Sequence, residues 1–297
     1  MDIGKINVEE LQRKLAEANA TWEAEETHLS LLTSQEQQNW LGLTPPTNAP
    51  SITEIEQKIP SILESIQTET LGAVNLPPVF DLRNINGKNF VTSIKNQKDC
   101  GSCVSFGTIA TVEASLRMQH NDPNLQVDFS EAHLFFCHGQ AEGKNCGTGW
   151  WPPNAYEALK NKGVVDESCY PYDEGLTKQD CSGLCTDSNN RLTKIKNYTE
   201  LTGNPAKIKE WLSTKGPVSA AIIVYQDFLS YRKGVYKHVT GNQVGGHCIS
   251  IVGYDDSQGC WICKNSWNNT WGEQGFFRIA YGECGIDHWC NHGVDTI

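Results

Sequence analysis

The stretch NQKDCGSCVSF, residues 96–106, decides the fold of this chain. Within it, Cys103 follows Gly101 and Ser102 directly and stands at the start of a long helical stretch, residues 105–119. Unpaired amides and the positive end of the dipole at a helix N-terminus stabilise a thiolate and lower the pKa of a cysteine there. The sequence therefore predicts that Cys103 is a nucleophile. Such a thiol needs a base and a group that orients the base.

Two later segments supply the best candidates for the base and its partner. His247 lies in the strand-like sequence GGHCISIVGYD, and Asn265 lies in KNSWNNTWG. Taken alone, Cys100 and Cys103 could be a redox CxxC pair, His247 a buried core histidine and Asn265 a turn residue. The redox reading lacks the βαβ pattern that usually surrounds such a pair. Taken together, in this order and spacing, the residues favour a cysteine peptidase.

Several ordered motifs resemble the papain family of cysteine proteases, over about residues 76–297, and point to its cathepsin B and dipeptidyl peptidase I branches. His247 lies 144 residues after Cys103, within the family's spacing of about 130 to 150, and Asn265 follows slightly late at 162. The motifs are LPPVFDLR from residue 76, SEAHLFFC from residue 130, VGGHCISIVGYD from residue 244, CWICKNSWNNTWGEQGFFRI from residue 260 and ECGI from residue 283.

The resemblance implies a role for each matching residue. Cys103 would be the nucleophile, His247 its acid–base partner, and Asn265 the amide that holds the imidazole. Gln97, six positions before Cys103, would form the oxyanion hole with the Cys103 amide. Trp267 would cover the bond between Asn265 and His247 and exclude water from it. No cofactor and no metal are expected.

Helical sequence precedes strand sequence in this region, which favours an α+β fold. The short segments VSAAIIVY, GGHCISIVGYD, CWICKNSW and GFFRIAY predict strands, because they are rich in Val, Ile and aromatic residues. The resemblance implies a papain-like fold of two subdomains with the active-site cleft between them. Residues 76–188 would form a helical subdomain that carries the nucleophile. Residues 189–297 would form an antiparallel, barrel-like subdomain that carries the histidine and the asparagine.

Residues 1–75 differ from the rest of the chain, since they carry −8 of the net charge of −11 and none of the twelve cysteines. Asn7 and Glu10 form the pattern of a capping box at the start of a helix. Two apolar series then have helical spacing. The first is Val8, Leu11, Leu15, Ala18 and Trp22, and the second is Ile52, Ile55, Ile59, Ile62 and Ile66, with Pro60 as a kink.

Isolated amphipathic helices are marginal in water, so this segment is expected to lie on the domain that follows it. The sequence ANATWEAEETHLSLL resembles the short propeptide of cathepsin B-like enzymes. We therefore expect residues 1–75 to be an inhibitory helical propeptide that crosses the cleft and is removed by cleavage between about Thr68 and Leu76. The alternative is a permanently attached segment for substrate recognition.

The family register implies disulfides for half of the cysteines: Cys100–Cys146, Cys137–Cys181 and Cys169–Cys185. The usual partner of Cys284 would stand where the chain has Gly241, so Cys284 must be free or paired differently. A zinc site of Cys260, Cys263, Cys284 and Cys290 is disfavoured, because the first two flank a strand whose side chains alternate between its faces. Cys248 has no assigned partner either.

One position departs from the family pattern. Val104 stands where the family nearly always has tryptophan, beside the nucleophile. The change removes a large buried aromatic side chain but no atom that takes part in the chemistry. We expect it to affect packing and rate, not the reaction.

The specificity expected from the resemblance is that of an endopeptidase, with exopeptidase action as the alternative. The stretch 137–155 has no room for the occluding loop of cathepsin B, and residues 1–75 do not resemble the extra domain of dipeptidyl peptidase I. In cathepsin B a glutamate that accepts arginine stands where this chain has Trp289, so small or medium apolar side chains should be preferred there. A one-residue slip would put His288 in its place. The expected substrate-binding residues are Gly149, Trp151, Ala221, Gly246, Trp267 and Trp289.

Composition limits the other functions. An acidic segment beside a near-neutral body disfavours nucleic-acid binding, and no apolar stretch approaches the roughly 18 residues that span a bilayer. The expected partners are a peptide or protein substrate and the chain's own propeptide, and a monomer is expected. Disulfides favour a secreted, lumenal or lysosome-like compartment, although the chain shows no signal peptide. A non-enzymatic papain-fold binding protein should lack the Cys, His or Asn, and none is missing.

Overall fold

Cys103, the candidate nucleophile, begins a long central helix that is buried along most of its length. The structure is a computed structural model and describes residues 6–68 and 76–296. The helices in chain order are α1 Val8–Glu17, α2 Ser34–Asn39, α3 Ile52–Thr68, α4 Cys103–Gln119, α5 Pro152–Asn161, α6 Tyr172–Lys178 and α7 Pro205–Thr214. The strands are β1 Trp22–Ala24, β2 Val79–Asp81, β3 Asn197–Glu200, β4 Val218–Tyr225, β5 Tyr231–Tyr236, β6 Gln243–Asp255, β7 Cys260–Lys264, β8 Phe276–Ala280 and β9 Asn291–Thr296.

Helix α4 is rich in Ala, Gly, Ser and Thr, and it is buried on nearly all sides because small residues let other elements come close. It packs against β6, β9 and α5. At Gly107, a Cβ atom would lie only 2.7 Å from Sγ of Cys248 on β6. The small residues of α4 therefore bring the helix that starts with Cys103 directly against the strand that carries His247.

The strands form one open sheet in the order β1-β5-β8-β7-β6-β4-β9-β3, and β2 pairs with β6 outside this path. All pairs are antiparallel except β5 and β8, which run parallel. The expected α+β papain-like fold is confirmed. Its sheet is mixed and not closed, whereas we expected an antiparallel, barrel-like sheet, and β1 at one end belongs to the N-terminal segment.

The N-terminal segment lies along the rest of the chain. Oδ1 of Asn7 accepts a hydrogen bond from the amide of Glu10 and starts α1, whose Leu11 and Leu15 are buried. The helix was expected to continue through Ala18 to Trp22, and this prediction is wrong. It ends at Glu17, and Trp22 instead begins strand β1, which pairs with β5.

A longer helix, α3, follows the prolines and continues through Pro60. The cleavage predicted between Thr68 and Leu76 falls on residues 69–75, which lie outside the described part of the chain. None of the described helices is both long and apolar enough to cross a membrane.

Three disulfides connect the helical region, and they are the pairs implied by the family register: Cys100–Cys146, Cys137–Cys181 and Cys169–Cys185. The other six cysteines are free and buried. In the described residues, no group of three or more His, Cys, Asp or Glu side chains could hold a metal ion.

Candidate active site

Cys103 is the first residue of α4, and the N-cap residue before it, Ser102, makes no side-chain capping hydrogen bond. The turn that precedes the helix is instead hydrogen-bonded to Tyr172. The hydroxyl of Tyr172 donates to the carbonyl of Gln97 at 2.7 Å, so the hydroxyl of Ser102 must be the donor in its 2.6 Å contact with Tyr172. The side chain of Ser102 therefore leaves the N-terminal amides of α4 free. These amides surround the sulfur of Cys103.

His247 on β6 meets Asn265 just after β7, because these two strands pair. Nε2 of His247 lies 2.8 Å from Oδ1 of Asn265, and the amide of Ser266 donates to the same oxygen at 2.8 Å. Since that atom accepts from Ser266, Nε2 of His247 is the donor. In the neutral imidazole Nδ1 then carries the lone pair, and this atom has no hydrogen-bond partner among the described residues.

Trp267 covers this bond. Its ring stacks on that of His247 with centroids 4.5 Å apart, and its side chain is fully buried. Water is thus kept away from the hydrogen bond between His247 and Asn265, which strengthens it.

Gln97 is oriented by three hydrogen bonds. Its Oε1 accepts from the hydroxyl of Ser266 at 2.7 Å, so its Nε2 must point the other way. Nε2 donates to the carbonyl of Cys100 and to the carbonyl of Trp40, both at 2.9 Å. Trp40 belongs to the N-terminal segment, so the side-chain amide of Gln97 is already hydrogen-bonded to a peptide carbonyl of that segment.

The backbone of residues 42–44 is hydrogen-bonded to both sides of the cleft. The amide of Trp150 donates to the carbonyl of Gly42 at 2.7 Å, and the amide of Thr44 donates to the carbonyl of Trp150 at 2.9 Å. From the other side, the carbonyl of Gly246 accepts from the amide of Leu43 at 3.1 Å. The segment therefore lies in the cleft as an extended strand.

Gly42 makes this close approach possible. A Cβ atom there would lie 1.8 Å from the carbonyl oxygen of Gly101, and a Cβ atom at Gly149 would lie 2.1 Å from the carbonyl oxygen of Gly42. Any side chain at position 42 would push the segment away from the loop that precedes Cys103.

Burial changes the ionisation of both reactive groups. It raises the pKa of the Cys103 thiol to about 11, and hydrogen bonds with backbone groups, including those of Cys248 and Gly42, lower this pKa by less. Burial also lowers the pKa of His247 to about 4, against a smaller raising effect of the bond to Asn265. The lowered thiol pKa that we expected at a helix N-terminus is therefore not found in this form, because desolvation outweighs the amides. Thiol and imidazole are both neutral at pH 7.

Three of the expected substrate-binding residues meet around Leu43. A Cβ atom at Gly246 would lie 3.0 Å from Cδ2 of Leu43 and 3.0 Å from Cη2 of Trp289, and the rings of Trp151 and Trp289 are 6.3 Å apart. His288 instead points to Asp287, with Nδ1 2.6 Å from Oδ1.

The remaining expected positions lie around this group. Gly149 faces Gly42, and Trp267 stacks on the histidine ring. Ala221 on β4 lies opposite Cys248 on β6.

Sequence reasoning placed the N-terminal segment in the cleft but did not name the residues that enter it. These are Trp40, Gly42 and Leu43, together with Pro50, whose carbonyl accepts from Nε1 of Trp289 at 2.9 Å. A signal was present in LGL, residues 41–43, because a single glycine between two leucines fits an extended strand that must lie flat against another backbone.

Residues 76–293 match the sequence model described as papain family cysteine protease. This chain belongs to that family. The protease is 33% identical over 227 residues to Cathepsin B-like CP3 of Giardia intestinalis, which covers 73% of this chain and 74% of that protein. It is a cathepsin B-like cysteine peptidase and acts on peptide substrates.

Solved proforms match almost the whole protease. ProCathepsin B S9 from Trypanosoma congolense shares the fold with a TM-score of 0.78 and 23% identity, over 98% of this chain and 99% of that chain. Digestive procathepsin L2 of Tenebrio molitor larval midgut matches with a TM-score of 0.75 and 26% identity, over 98% of this chain and 89% of that chain. The N-terminal segment is thus a propeptide in the cleft, and the protease is present as a zymogen.

The neutral state of Cys103 predicts how the thiol of the zymogen reacts with iodoacetamide. Because only the thiolate reacts, and Cys103 is fully buried with its pKa raised to about 11, alkylation of the zymogen at pH 7 should be roughly a hundredfold or more slower than that of the matured enzyme. The rate at Cys103 is to be read by mass spectrometry of the full chain and of the matured enzyme. Equal rates for the two forms at pH 7 would contradict the prediction.

Proposed function

We propose that the protein is the zymogen of a papain-like cysteine endopeptidase that cuts peptide bonds through a thioester acyl-enzyme. Cys103 is the nucleophile, His247 the acid–base group, Asn265 its orienting amide, and Gln97 a donor of the oxyanion hole. One observation carries the proposal. Nε2 of Gln97 donates to a peptide carbonyl, that of Trp40, in the cleft beside Cys103.

The geometry supports the following chemistry once the propeptide has left and water and substrate reach the cleft. His247 takes the thiol proton on Nδ1, the atom that has no hydrogen-bond partner within the described part of the zymogen. The thiolate attacks the carbonyl carbon, a C–S bond forms, and the negative oxygen is bound by Nε2 of Gln97 and the amide of Cys103. The C–N bond then breaks, and the imidazolium of His247 gives its proton to the leaving amine.

Deacylation uses the same groups in the reverse order. His247 takes a proton from water, whose oxygen attacks the thioester carbon while Gln97 again binds the negative oxygen. The C–S bond breaks, the acid product leaves, and the sulfur of Cys103 regains a proton. The bond of Nε2 to Asn265 keeps Nδ1 directed at the reacting atoms throughout.

Residues 1–75 are proposed to be the inhibitory propeptide, 76–188 the helical subdomain with the nucleophile, and 189–297 the β-rich subdomain with the histidine and the asparagine. Inhibition is supported by the backbone bonds of residues 42–44 to both walls and by the complete burial of Cys103.

Endopeptidase action is supported by the loop that follows the π-helical turn His133–Gly139. After it come only the short turn Gln140–Glu142 and a loop tied down by the disulfide of Cys146. Such a short connection leaves both ends of the cleft open to a long peptide once the propeptide is gone.

Leu43 suggests which substrates fit. Its side chain lies between Gly246 and Trp289, and its backbone neighbours bond to Trp150. A tryptophan there shortens the pocket and carries no charge. We therefore propose a preference for small or medium apolar side chains at the second position before the scissile bond.

Replacing the nucleophile should abolish activity. Cys103→Ala, matured in trans by the wild-type enzyme, should lose roughly 10⁴-fold or more in kcat/KM, and Cys103→Ser should be nearly as inactive, because a hydroxyl is a poorer nucleophile. The measurement is hydrolysis of a fluorogenic peptide with leucine at the second position. Cys260→Ala, which removes a free buried cysteine of β7, is the matched control and should keep its activity. Near wild-type turnover by Cys103→Ala would refute the assignment.

Substitution at Trp289 should change specificity. Trp289→Glu places a carboxylate in the pocket, so the ratio of kcat/KM for arginine over leucine at the second position should rise about tenfold. Trp289→Gln has the same shape without the charge and should not favour arginine. A preference of the wild-type enzyme for arginine would contradict the proposed pocket.

A side chain at position 42 should weaken inhibition. Gly42→Ala creates an overlap with Gly101, and an overlap of this kind costs about 1–3 kcal/mol, so labelling of the intact zymogen by an epoxysuccinyl inhibitor should speed up about tenfold. Gly147→Ala is the control, because a Cβ atom there would meet nothing closer than 3.4 Å. Equal labelling rates for Gly42→Ala and the wild type would show that the segment is not held by this contact.

A further inference from the structure

Helix α3 covers a surface outside the catalytic cleft, which we call the glycine shelf and define as Tyr225, Gly282 and Gly285. Gly282 directly precedes the short turn Glu283–Gly285 and Gly285 ends it, and α3 packs against this turn. Their φ angles are +74° and +73°, in the left-handed region that favours glycine. The shelf thus has no side chain at the two points where the helix comes closest.

The isoleucine stripe of α3 fits these two points. A Cβ atom at Gly285 would lie 2.5 Å from Cγ2 of Ile55, and one at Gly282 would lie 2.6 Å from Cδ1 of Ile66 and 2.9 Å from Cγ2 of Ile62. The three side chains are spaced at i, i+7 and i+11, on one face of a helix. Recognition of an amphipathic helix in an apolar depression works through such a pattern.

A polar contact sets the position of the helix along the shelf. The hydroxyl of Tyr225 donates to Oε1 of Glu56 at 2.8 Å. Burial, and next the bond to Glu56, raise the pKa of Tyr225 well above its ordinary value, so the hydroxyl keeps its proton at physiological pH. A carboxylate directly after the first isoleucine therefore belongs to the pattern.

The shelf is continuous with the substrate cleft. Trp289, beside Leu43 in the pocket, donates to the carbonyl of Pro50, and α3 begins two residues later at Ile52. Eight residues, 44–51, lie between Leu43 and the start of the helix, so the propeptide fills the pocket and the shelf at the same time. A substrate must cross the cleft in the opposite direction, because its pocket residue precedes the carbonyl that Gln97 binds, whereas Leu43 follows Trp40. A substrate helix on the shelf therefore precedes the cleavage site and is joined to it by a linker that spans the length of the helix.

We propose that the glycine shelf is an exosite of the mature protease for an amphipathic helix of a protein substrate. This inference rests on the proposed removal of residues 1–75. The preferred helix carries aliphatic side chains at i, i+7 and i+11 and a carboxylate at i+1, and it precedes the cleavage site in the substrate. The helix that covers the shelf in the zymogen has this pattern. Its acidic residues, Glu54, Glu56 and Glu64 against Lys58, favour an acidic protein helix over an anionic membrane as the occupant.

The test compares two protein substrates of enzyme matured from the full chain. Both carry the helix of residues 51–68, followed by a flexible linker of about 20 residues and then one cleavable sequence with leucine at the second position before the scissile bond. In the second substrate Ile55, Ile62 and Ile66 of that helix are replaced by glutamine. An exosite raises the local concentration of the cleavable sequence, so the intact helix should lower KM about tenfold with kcat unchanged.

Two variants connect the effect to the shelf. Tyr225→Phe should raise KM for the intact-helix substrate about threefold. Glu56→Gln in the substrate helix should raise KM to the same extent, and the two changes together should raise it no further. Hydrolysis of a fluorogenic dipeptide should change with neither variant. Should Tyr225→Phe fail to fold, Gly282→Ala makes the same test by filling the shelf.

The outcomes are distinct. Equal KM values for the two protein substrates would overturn the exosite, and so would inhibition of dipeptide hydrolysis by the free 51–68 peptide, because the helix would then block the cleft. Binding of a second zymogen through its own α3, seen as a dimer of the matured enzyme with the zymogen and no effect on KM, would overturn it as well. Failure to cleave the dipeptide would instead refute the proposed peptidase function.

Discussion

The hydrogen bond between Nε2 of His247 and Oδ1 of Asn265 is the interaction on which the arrangement of the site depends. It requires β6 and β7 to pair in one register, and it fixes which nitrogen of the ring is free to accept a proton. Small residues of α4 then allow the helix to lie against β6, with Cys103 at its N-terminus. The cleft follows from this packing, because Cys103 on α4 and His247 on β6, the proposed nucleophile and base, reach it from a helix and from the sheet.

Two opposing effects act on the sulfur in this form of the molecule. The helix N-terminus and nearby amides favour the thiolate, whereas burial under the N-terminal segment favours the thiol. Burial prevails, since the pKa of Cys103 is raised to about 11 and that of His247 lowered to about 4. The propeptide therefore does more than obstruct the cleft: by excluding water it removes the ion pair on which nucleophilic attack depends.

Much of the fold could be predicted, and so could the start of α4 near Cys103 and the meeting of His247 with Asn265, because local motifs with a fixed order carry that information. Trp22 could not, since its helical spacing from Leu15 is a local pattern, while its place in β1 depends on pairing with a strand two hundred residues later. The end position of β1 in the sheet has the same cause, because this strand comes from the N-terminal segment. The raised thiol pKa also depends on that docked segment and not on the residues around Cys103 in the sequence.

The propeptide uses the groups that a substrate needs, so its contacts alone do not explain why it is bound and not cut. The backbone of Gly42 lowers the pKa of Cys103 through a hydrogen bond. Only a donor stabilises a thiolate, so Gly42 presents its N–H to the sulfur. Where a substrate must offer a carbonyl carbon, the segment offers an amide proton, and Gln97 meanwhile holds the carbonyl of Trp40, two residues earlier. The strand also runs opposite to a substrate, because Leu43 in the pocket follows Trp40, whereas the pocket residue of a substrate precedes the carbonyl that Gln97 binds. The fit of Gly42 against Gly101 keeps the segment in this position.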